Sequence, residues 1–288
     1  MKDGLSSGMH RLRAQLHRKF LQLGVDVTQP GFYDHPAFRE RAREEPRLWD
    51  DYARYVFALE PGAAYLRRAR PVIEHTARFL HAELVRDGQL GACVGASRTL
   101  ARFLERQGIW NVAVTGMFHV RLPDGSARNF GPLTTRDVAQ FAGHTWVYAP
   151  PFVVVDVTVR QQFWSPGARA QLPDLVLSDT SQRAELRGPE FFSDPALALF
   201  QERHARAPTF SDVMALAPEI AAAVRLFPAL TFPLENNRFT YVALSPTFQH
   251  EPLELARHFV LNGQTPLALY HQMIAGWPEP QTGELPMP

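Results

Sequence analysis

Cysteine is almost absent from this 288-residue chain, in which Cys93 is the single example. One thiol excludes an internal disulfide framework and any metal site built from several cysteines. The histidines show no metal-ligand spacing such as His-Glu-x-x-His, so we expect no metal and no other cofactor. A lone cysteine is most often a small buried apolar residue, and it needs partners before it can be taken as a nucleophile.

Long apolar runs are also missing. No stretch reaches about 18 consecutive apolar residues, so no membrane span is predicted. The N-terminal segment has no apolar core followed by a cleavage site, which favours a cytoplasmic protein. The net charge is only +1, so the composition favours no polyanionic partner, and we expect no binding to nucleic acid. With 45% hydrophobic residues, the chain has the composition of an ordinary globular protein.

Cys93 stands at the start of a segment whose small and apolar residues recur at helical spacing. Gly108 is a natural stop for this helix, and Gly91 lets the chain turn tightly into it. The thiol is therefore expected in the first helical turn. Free backbone N–H groups and the positive end of the helix dipole favour an anion there, which lowers the pKa of a thiol. The pattern predicts a reactive thiolate.

Two β-rich runs lie on either side of Pro150 and Pro151. If Pro150 is the centre of an antiparallel hairpin, the numbers of opposed residues sum to 300, and His144 lies directly opposite Asp156. Asp156 also interrupts the apolar run Phe152–Val157, where an unpaired carboxylate would be costly. We therefore predict that Asp156 pairs with His144 and holds one tautomer of its imidazole.

These motifs resemble the transglutaminase-like branch of the papain-like superfamily. The shared features are a glycine and a cysteine at a helix start, a following strand, then His-x-Trp-Val and Asp-x-Thr on successive strands. The resemblance covers about residues 75–165. It implies that Cys93 is the nucleophile, His144 the general base and acid, and Asp156 the residue that orients the imidazole. It also implies an α+β fold, in which the helix that carries the cysteine packs on an antiparallel sheet, with additional N- and C-terminal helices.

The chemistry implied by the resemblance is acyl transfer through an acyl-thioenzyme. The family includes cross-linkers, deamidases, amide hydrolases, proteases and acyltransferases that take thioesters. The expected substrate is thus an amide- or thioester-containing peptide, protein or carrier-bound small molecule. We expect an amide hydrolase, a deamidase or a protease, because water is the default acceptor. The alternatives are an acyltransferase that makes an amide with an amine acceptor, and a module of this fold that binds a partner without catalysis.

Two further residues are candidates for substrate binding or the oxyanion hole. Gln89 lies four residues before the cysteine and could join the backbone N–H of Cys93 in an oxyanion hole. The competing interpretation of Gln89 is a surface glutamine in a loop. Trp146 shares the strand face of His144 by the two-residue period and could line the site, with core packing as the competing interpretation.

The chain divides by its patterns into three regions. Residues 1–86 are predicted to be a helical region packed on the core, 87–180 the transglutaminase-like catalytic core, and 181–288 a mostly helical region. Thr134 and Thr135 are alternative caps of a short helix before His144. In the C-terminal region, the patterns predict helices at 193–204, 211–226, 252–261 and 266–274, and a strand at 239–244.

Overall fold

The computed structural model describes residues 2–133 and 143–277. The fold is α+β, as predicted, with 45% helix and 19% strand. The short helix predicted at Thr134 or Thr135 lies outside the described residues. The helices that precede the first strand are α1 (Lys2–Gln22), α2 (Pro36–Glu44), α3 (Leu48–Phe57), α4 (Ala63–Asp87) and α5 (Cys93–Arg106).

Within the described residues, one antiparallel sheet follows α5. Its strands are β1 (Val112–Arg121), β2 (Ala127–Phe130), β3 (His144–Ala149), β4 (Phe152–Asp156), β5 (Val176–Ser178), β6 (Gln182–Arg183), β7 (Ala229–Leu234) and β8 (Asn237–Pro246). Their spatial order is β5-β4-β3-β1-β8-β7-β6, with β2 paired to β1. The later helices are α6 (Pro166–Ala170), α7 (Asp194–His204), α8 (Phe210–Leu216), α9 (Pro218–Ala223) and α10 (Pro266–Ala275).

The sheet separates two apolar clusters, because successive side chains of a strand point to opposite faces. In β1, Phe118 belongs to the main core with α1–α5, whereas its neighbour Met117 belongs to a smaller cluster with residues of α7–α9. Helix α5 packs on β3 and β1 within the main core. Its residues Leu100 and Leu104 are fully buried one turn apart, which is the face predicted by their spacing. The cysteine helix therefore lies directly on the strand that carries His144.

Two of the helix predictions for the C-terminal region were wrong. The segment 211–226 forms α8 and α9, which are separated at Pro218. Proline has no N–H to continue the hydrogen bonds of α8, and it is favoured at the first position of a helix such as α9. The N-cap of α8 is Thr209, and Asp212 occupies the third helical position in a capping box. The segment 252–261 is not a helix; it forms one turn, in which two N–H groups donate to the carbonyl of residue 252.

Candidate active site

The β3–β4 hairpin confirms the predicted antiparallel pairing, but in a register two residues from the predicted one. Val147 pairs with Val155, whereas a sum of 300 would have paired it with residue 153. The predicted direct opposition of His144 and Asp156 was therefore wrong. The ladder is irregular between Val147 and the two-proline turn, and this irregularity changes the sum. A shift of two residues keeps every side chain on its own face, so His144 and Asp156 still point to the same side.

His144 and Asp156 form a direct hydrogen bond. Nε2 of the imidazole donates to Oδ2 of the carboxylate over 2.6 Å, and both side chains are fully buried. Hydrogen bonds between charged groups in a buried site are shorter and stronger than neutral ones. The bond holds the ring so that the second nitrogen, Nδ1, faces away from the carboxylate. Nδ1 is buried and has no hydrogen-bond partner of standard geometry among the described residues.

Three more donors surround the carboxylate of Asp156. The backbone N–H and the hydroxyl of Thr158 donate to Oδ1 over 2.9 and 3.0 Å, and the hydroxyl of Tyr241 donates to Oδ2 over 3.0 Å. Burial alone would raise the pKa of Asp156, but the charge and hydrogen bond of His144, together with these donors, lower it. Asp156 is therefore an ionised carboxylate with a complete set of donors.

Tyr241 is a site residue that sequence reasoning missed. It lies in β8, 85 residues after Asp156, and reaches it because β8 and β3 flank β1 in the sheet. The aromatic ring is fully buried and packs against Trp146 at 5.0 Å between centroids. The chain around Tyr241 indicates a strand, but nothing local indicates that its hydroxyl meets a carboxylate.

Cys93 is the first residue of α5 and is 7% exposed. The hydroxyl of Ser97, one turn later, donates to the carbonyl of Thr145 over 2.9 Å and ties the helix to β3 beside His144. Burial and, more weakly, the negative charge of Asp156 would raise the pKa of the Cys93 thiol, but the neighbouring imidazole of His144 and its positive charge outweigh them. A hydrogen bond with the backbone of Thr145 acts in the same direction, and the pKa is lowered overall.

The pKa of His144 moves the opposite way. Burial alone would lower it, but the charge and hydrogen bond of Asp156, followed by the neighbouring Cys93 thiolate, raise it to about 10. A lowered thiol pKa beside a raised imidazole pKa favours transfer of the proton from the thiol to the imidazole, which gives a thiolate–imidazolium pair. Such a pair holds a nucleophile and the proton that its leaving group will need.

Comparison of the chain with family models, curated proteins and solved structures gives no match. In residues 2–133 and 143–277, no three His, Cys, Asp or Glu side chains are grouped so that they could hold a metal ion. The helices in the same ranges are too short or too polar for any of them to cross a bilayer.

The structure places the two other candidates differently. Trp146 is 2% exposed, and its ring is stacked at 6.4 Å from the ring of His144. Trp146 thus packs in the core behind the imidazole, which supports the core interpretation. Gln89 is half-buried in the loop before α5, and its side-chain oxygen is buried with no hydrogen-bond partner in the described part of the chain. Its contribution to an oxyanion hole stays a prediction.

Gly91 shapes the entry to the cysteine helix as predicted. Its φ of +70° lies in the left-handed region, which glycine adopts without strain. The N–H of Gly91 donates to the carbonyl of Gln161 over 2.8 Å, which joins this turn to the chain beyond β4. The same turn therefore brings Cys93 to the end of the hairpin that carries the His144–Asp156 pair.

Replacing Tyr241 with phenylalanine is expected to slow the acyl transfer that the sequence motifs predict, without unfolding the protein. The change removes one donor to the buried carboxylate, at a cost of about 1.5–3 kcal/mol in stability. If the poorer alignment of the imidazole raises the activation free energy by roughly 1 kcal/mol, the rate falls about fivefold. The pKa of Asp156 should rise, because its ionised form loses a donor, so the acid limb of the pH–rate profile should move to higher pH.

Tyr65 provides the matched control. Its buried hydroxyl accepts the backbone N–H of Trp110 over 2.8 Å, far along the chain from the carboxylate. Tyr65→Phe should lower stability to a similar extent and leave the pH–rate profile unchanged. Equal profiles for Tyr241→Phe and Tyr65→Phe would mean that Tyr241 is a structural residue only.

Proposed function

We propose that this protein is a cysteine-dependent acyl-transfer enzyme, with an amide hydrolase or deamidase as the leading activity. The observation that carries the proposal is the buried 2.6 Å hydrogen bond between His144 and Asp156 beside a cysteine of lowered pKa. A buried cysteine that only fills space in the core would not need a hydrogen-bonded histidine and carboxylate beside it. The alternative that the chain only binds a partner gives no physical reason for a buried carboxylate with four donors and an imidazole nitrogen directed away from it.

The proposed reaction begins with the thiolate of Cys93. It attacks the substrate carbonyl carbon, and a carbon–sulfur bond forms while the carbonyl oxygen takes the negative charge. The first-turn N–H groups of α5 have no partner within the helix and can stabilise this oxyanion. The carbon–nitrogen bond of the amide then breaks, and the proton on Nδ1 of His144 passes to the leaving amine. An acyl-thioenzyme and a neutral His144 remain.

Water completes the cycle. Neutral His144 takes a proton from water through Nδ1, and the oxygen attacks the thioester carbon. A carbon–oxygen bond forms, the carbon–sulfur bond breaks, the acid leaves and the thiolate–imidazolium pair returns. An amine in place of water would give an amide by the same steps. A thioester donor would release a thiol in place of the amine.

The transglutaminase-like fold belongs to the same proposal. It is supported by the order of Cys93, His144 and Asp156 along the chain and by the packing of α5 on the antiparallel strands β1 and β3. These features suit a papain-like arrangement, in which the helix supplies the nucleophile and the sheet supplies its partners.

Intact-mass measurement tests the proposal directly. The protein is incubated with a glutamine-containing peptide amide and with an S-acyl N-acetylcysteamine thioester, with and without excess ethylamine. We expect an acyl adduct on Cys93 and release of ammonia, amine or thiol. A free acid as product assigns hydrolysis, and an ethylamide assigns amide synthesis. No adduct and no turnover with either donor class, at a thiol that reacts no faster than free cysteine, would favour the non-catalytic module.

Alkylation by iodoacetamide across pH tests the state of the thiol. Because the pKa of Cys93 is lowered, the midpoint of the labelling rate should lie below about pH 8.5, the ordinary midpoint of a free thiol. His144→Ala removes the stabilising charge and should move the midpoint upward. A wild-type midpoint at or above the value of about 8.5 for a free thiol would contradict the thiolate–imidazolium pair.

A further inference from the structure

We infer that Ser97 is a positioning residue for the nucleophile: its hydroxyl fixes the backbone of Thr145, and that backbone holds the sulfur of Cys93 beside His144. This inference rests on the proposed function and adds a residue to the same site. Ser97 acts through Thr145 and takes no part in the bonds that form and break during acyl transfer.

Ser97 lies one helical turn after Cys93, on the same face of α5. Its side chain is 1% exposed. A serine inside a helix usually points to solvent or bonds to the carbonyl four residues earlier. The hydroxyl of Ser97 donates instead to the carbonyl of Thr145 in β3, over 2.9 Å. This bond therefore fixes the first two turns of α5 against the strand that carries His144.

Thr145 has a second backbone contact with the same helix face. Its backbone is hydrogen-bonded to the Cys93 sulfur and lowers the pKa of the thiol. The group in this contact is the N–H, because a donor stabilises a thiolate, whereas a carbonyl stabilises the protonated thiol. The N–H and the carbonyl of one strand residue point to the same side. Cys93 and Ser97 thus bond to Thr145 as a neighbouring strand would.

The end of β4 leaves this edge of β3 to the helix. The pairing of β3 with β4 that lies nearest to His144 joins Val147 to Val155, and β4 ends at Asp156. Thr145 is two residues further along β3, and its backbone groups face the same side as those of Val147. Ser97 therefore supplies the donor that a longer β4 would have supplied, and it does so next to the nucleophile.

The contact between α5 and β3 is polar at a place where the core is otherwise apolar. The hydroxyls of Thr145 and Thr115 are hydrogen-bonded over 3.0 Å, and Thr145 is fully buried. Alanine in place of Ser97 would favour the helix and avoid the burial of a hydroxyl. Apolar contacts are non-directional, whereas hydrogen bonds require one geometry. The polar contact thus sets one position of the sulfur relative to His144, which a nucleophile and its base need.

Labelling of Cys93 by iodoacetamide across pH tests the role of Ser97. In Ser97→Ala the midpoint should rise by about 0.5–1 pH unit, because a Thr145 N–H that is not held in place stabilises the thiolate less. Below the wild-type midpoint the variant should label about three- to tenfold more slowly. The charges of His144 and Asp156, which also act on the thiol, are present in both proteins.

The rates at high pH separate positioning from general damage. Well above both midpoints, Ser97→Ala should label at least as fast as the wild type, since a thiolate of higher pKa is the stronger nucleophile. A merely structural defect would change the rate by a similar factor at every pH. The fold itself should persist, because alanine is smaller than serine and has the higher helix propensity.

Two further variants complete the test. Ser97→Thr keeps the hydroxyl and should return the midpoint to within about 0.2 of the wild-type value. Thr99→Ala is the matched control, since it removes a hydroxyl from the same helix at a side chain that is 4% exposed. It should leave the midpoint unchanged.

A Ser97→Ala midpoint equal to that of the wild type, or one that Ser97→Thr fails to restore, would overturn the inference while the proposed function stands. Labelling needs no acyl donor, so it decides the role of Ser97 whether or not a donor acylates Cys93. Absence of any acylation of Cys93 would overturn the proposed function itself.

Discussion

Replacement of Cys93 with alanine is expected to abolish acyl transfer while the fold persists. The sulfur is the atom that bonds to the acyl group, and no other side chain of the site is a comparable nucleophile. Removal of a catalytic nucleophile typically costs a factor on the order of 10⁴ or more in rate. The side chain is small and 7% exposed, so the free energy of unfolding should change by about 1 kcal/mol or less.

Turnover of the best donor and thermal unfolding by circular dichroism together check this result. Thr99→Ala is the control on the same helix, because Thr99 is 4% exposed and has no part in the proposed chemistry. It should retain activity within about threefold. Turnover by Cys93→Ala above roughly one per cent of the wild-type rate would remove Cys93 from the role of nucleophile.

The second large effect is expected for Asp156→Asn. The carboxylate accepts the Nε2 proton of His144, which leaves Nδ1 for the thiol. An amide nitrogen at the same place would donate to Nε2 and favour the tautomer with its proton on Nδ1. The corresponding change in the Ser-His-Asp triad of serine proteases costs about 10⁴ in rate. We expect a loss of about 10²–10³, since a thiolate at a helix start depends less on its base.

Stability should also fall, because Asn places an NH₂ group where the buried carboxylate met only donors. Loss of one such hydrogen bond to a charged group costs about 1.5–3 kcal/mol. Folding lowers the pKa of Asp156, so the stability it contributes is present above its unfolded pKa and is lost as pH falls through the folded value. The wild type should therefore lose more stability than Asp156→Asn on acidification.

His144 gives the free energy of unfolding the opposite dependence on pH. Its pKa is raised to about 10 by folding, so its contribution is complete below the unfolded value and is lost as pH rises through the folded one. Denaturant unfolding at a series of pH values measures both limbs.

A rate for Asp156→Asn within about threefold of wild type would reduce the triad to a dyad of Cys93 and His144. Unfolding of this variant at neutral pH would make Asp156 structural.

Local patterns predicted the parts of the site that depend on near neighbours. Helix α5 begins at Cys93 because a glycine turn precedes it and helical spacing follows it. The β3–β4 hairpin follows from two β-rich runs on either side of the prolines. Its register did not follow from the numbers alone, because an irregular ladder near the turn changes the pairing of every residue beyond it. Because side chains alternate between the two faces of a strand, the two-residue shift left His144 and Asp156 on the same face, where they form a hydrogen bond.

The chain by itself determined the chemical parts: one thiol, an imidazole and a carboxylate in an order and spacing that a helix and a hairpin bring near each other. Only the tertiary structure decided what surrounds them. Tyr241 donates to Asp156 because β8 folds back beside β1. Phe259 reaches Gly95 because the segment 252–261 is not a helix and the next residue, Asn262, is bonded to Glu83 of α4. Contacts between distant segments depend on which faces pack together, and that choice is made by the whole core rather than by any window of sequence.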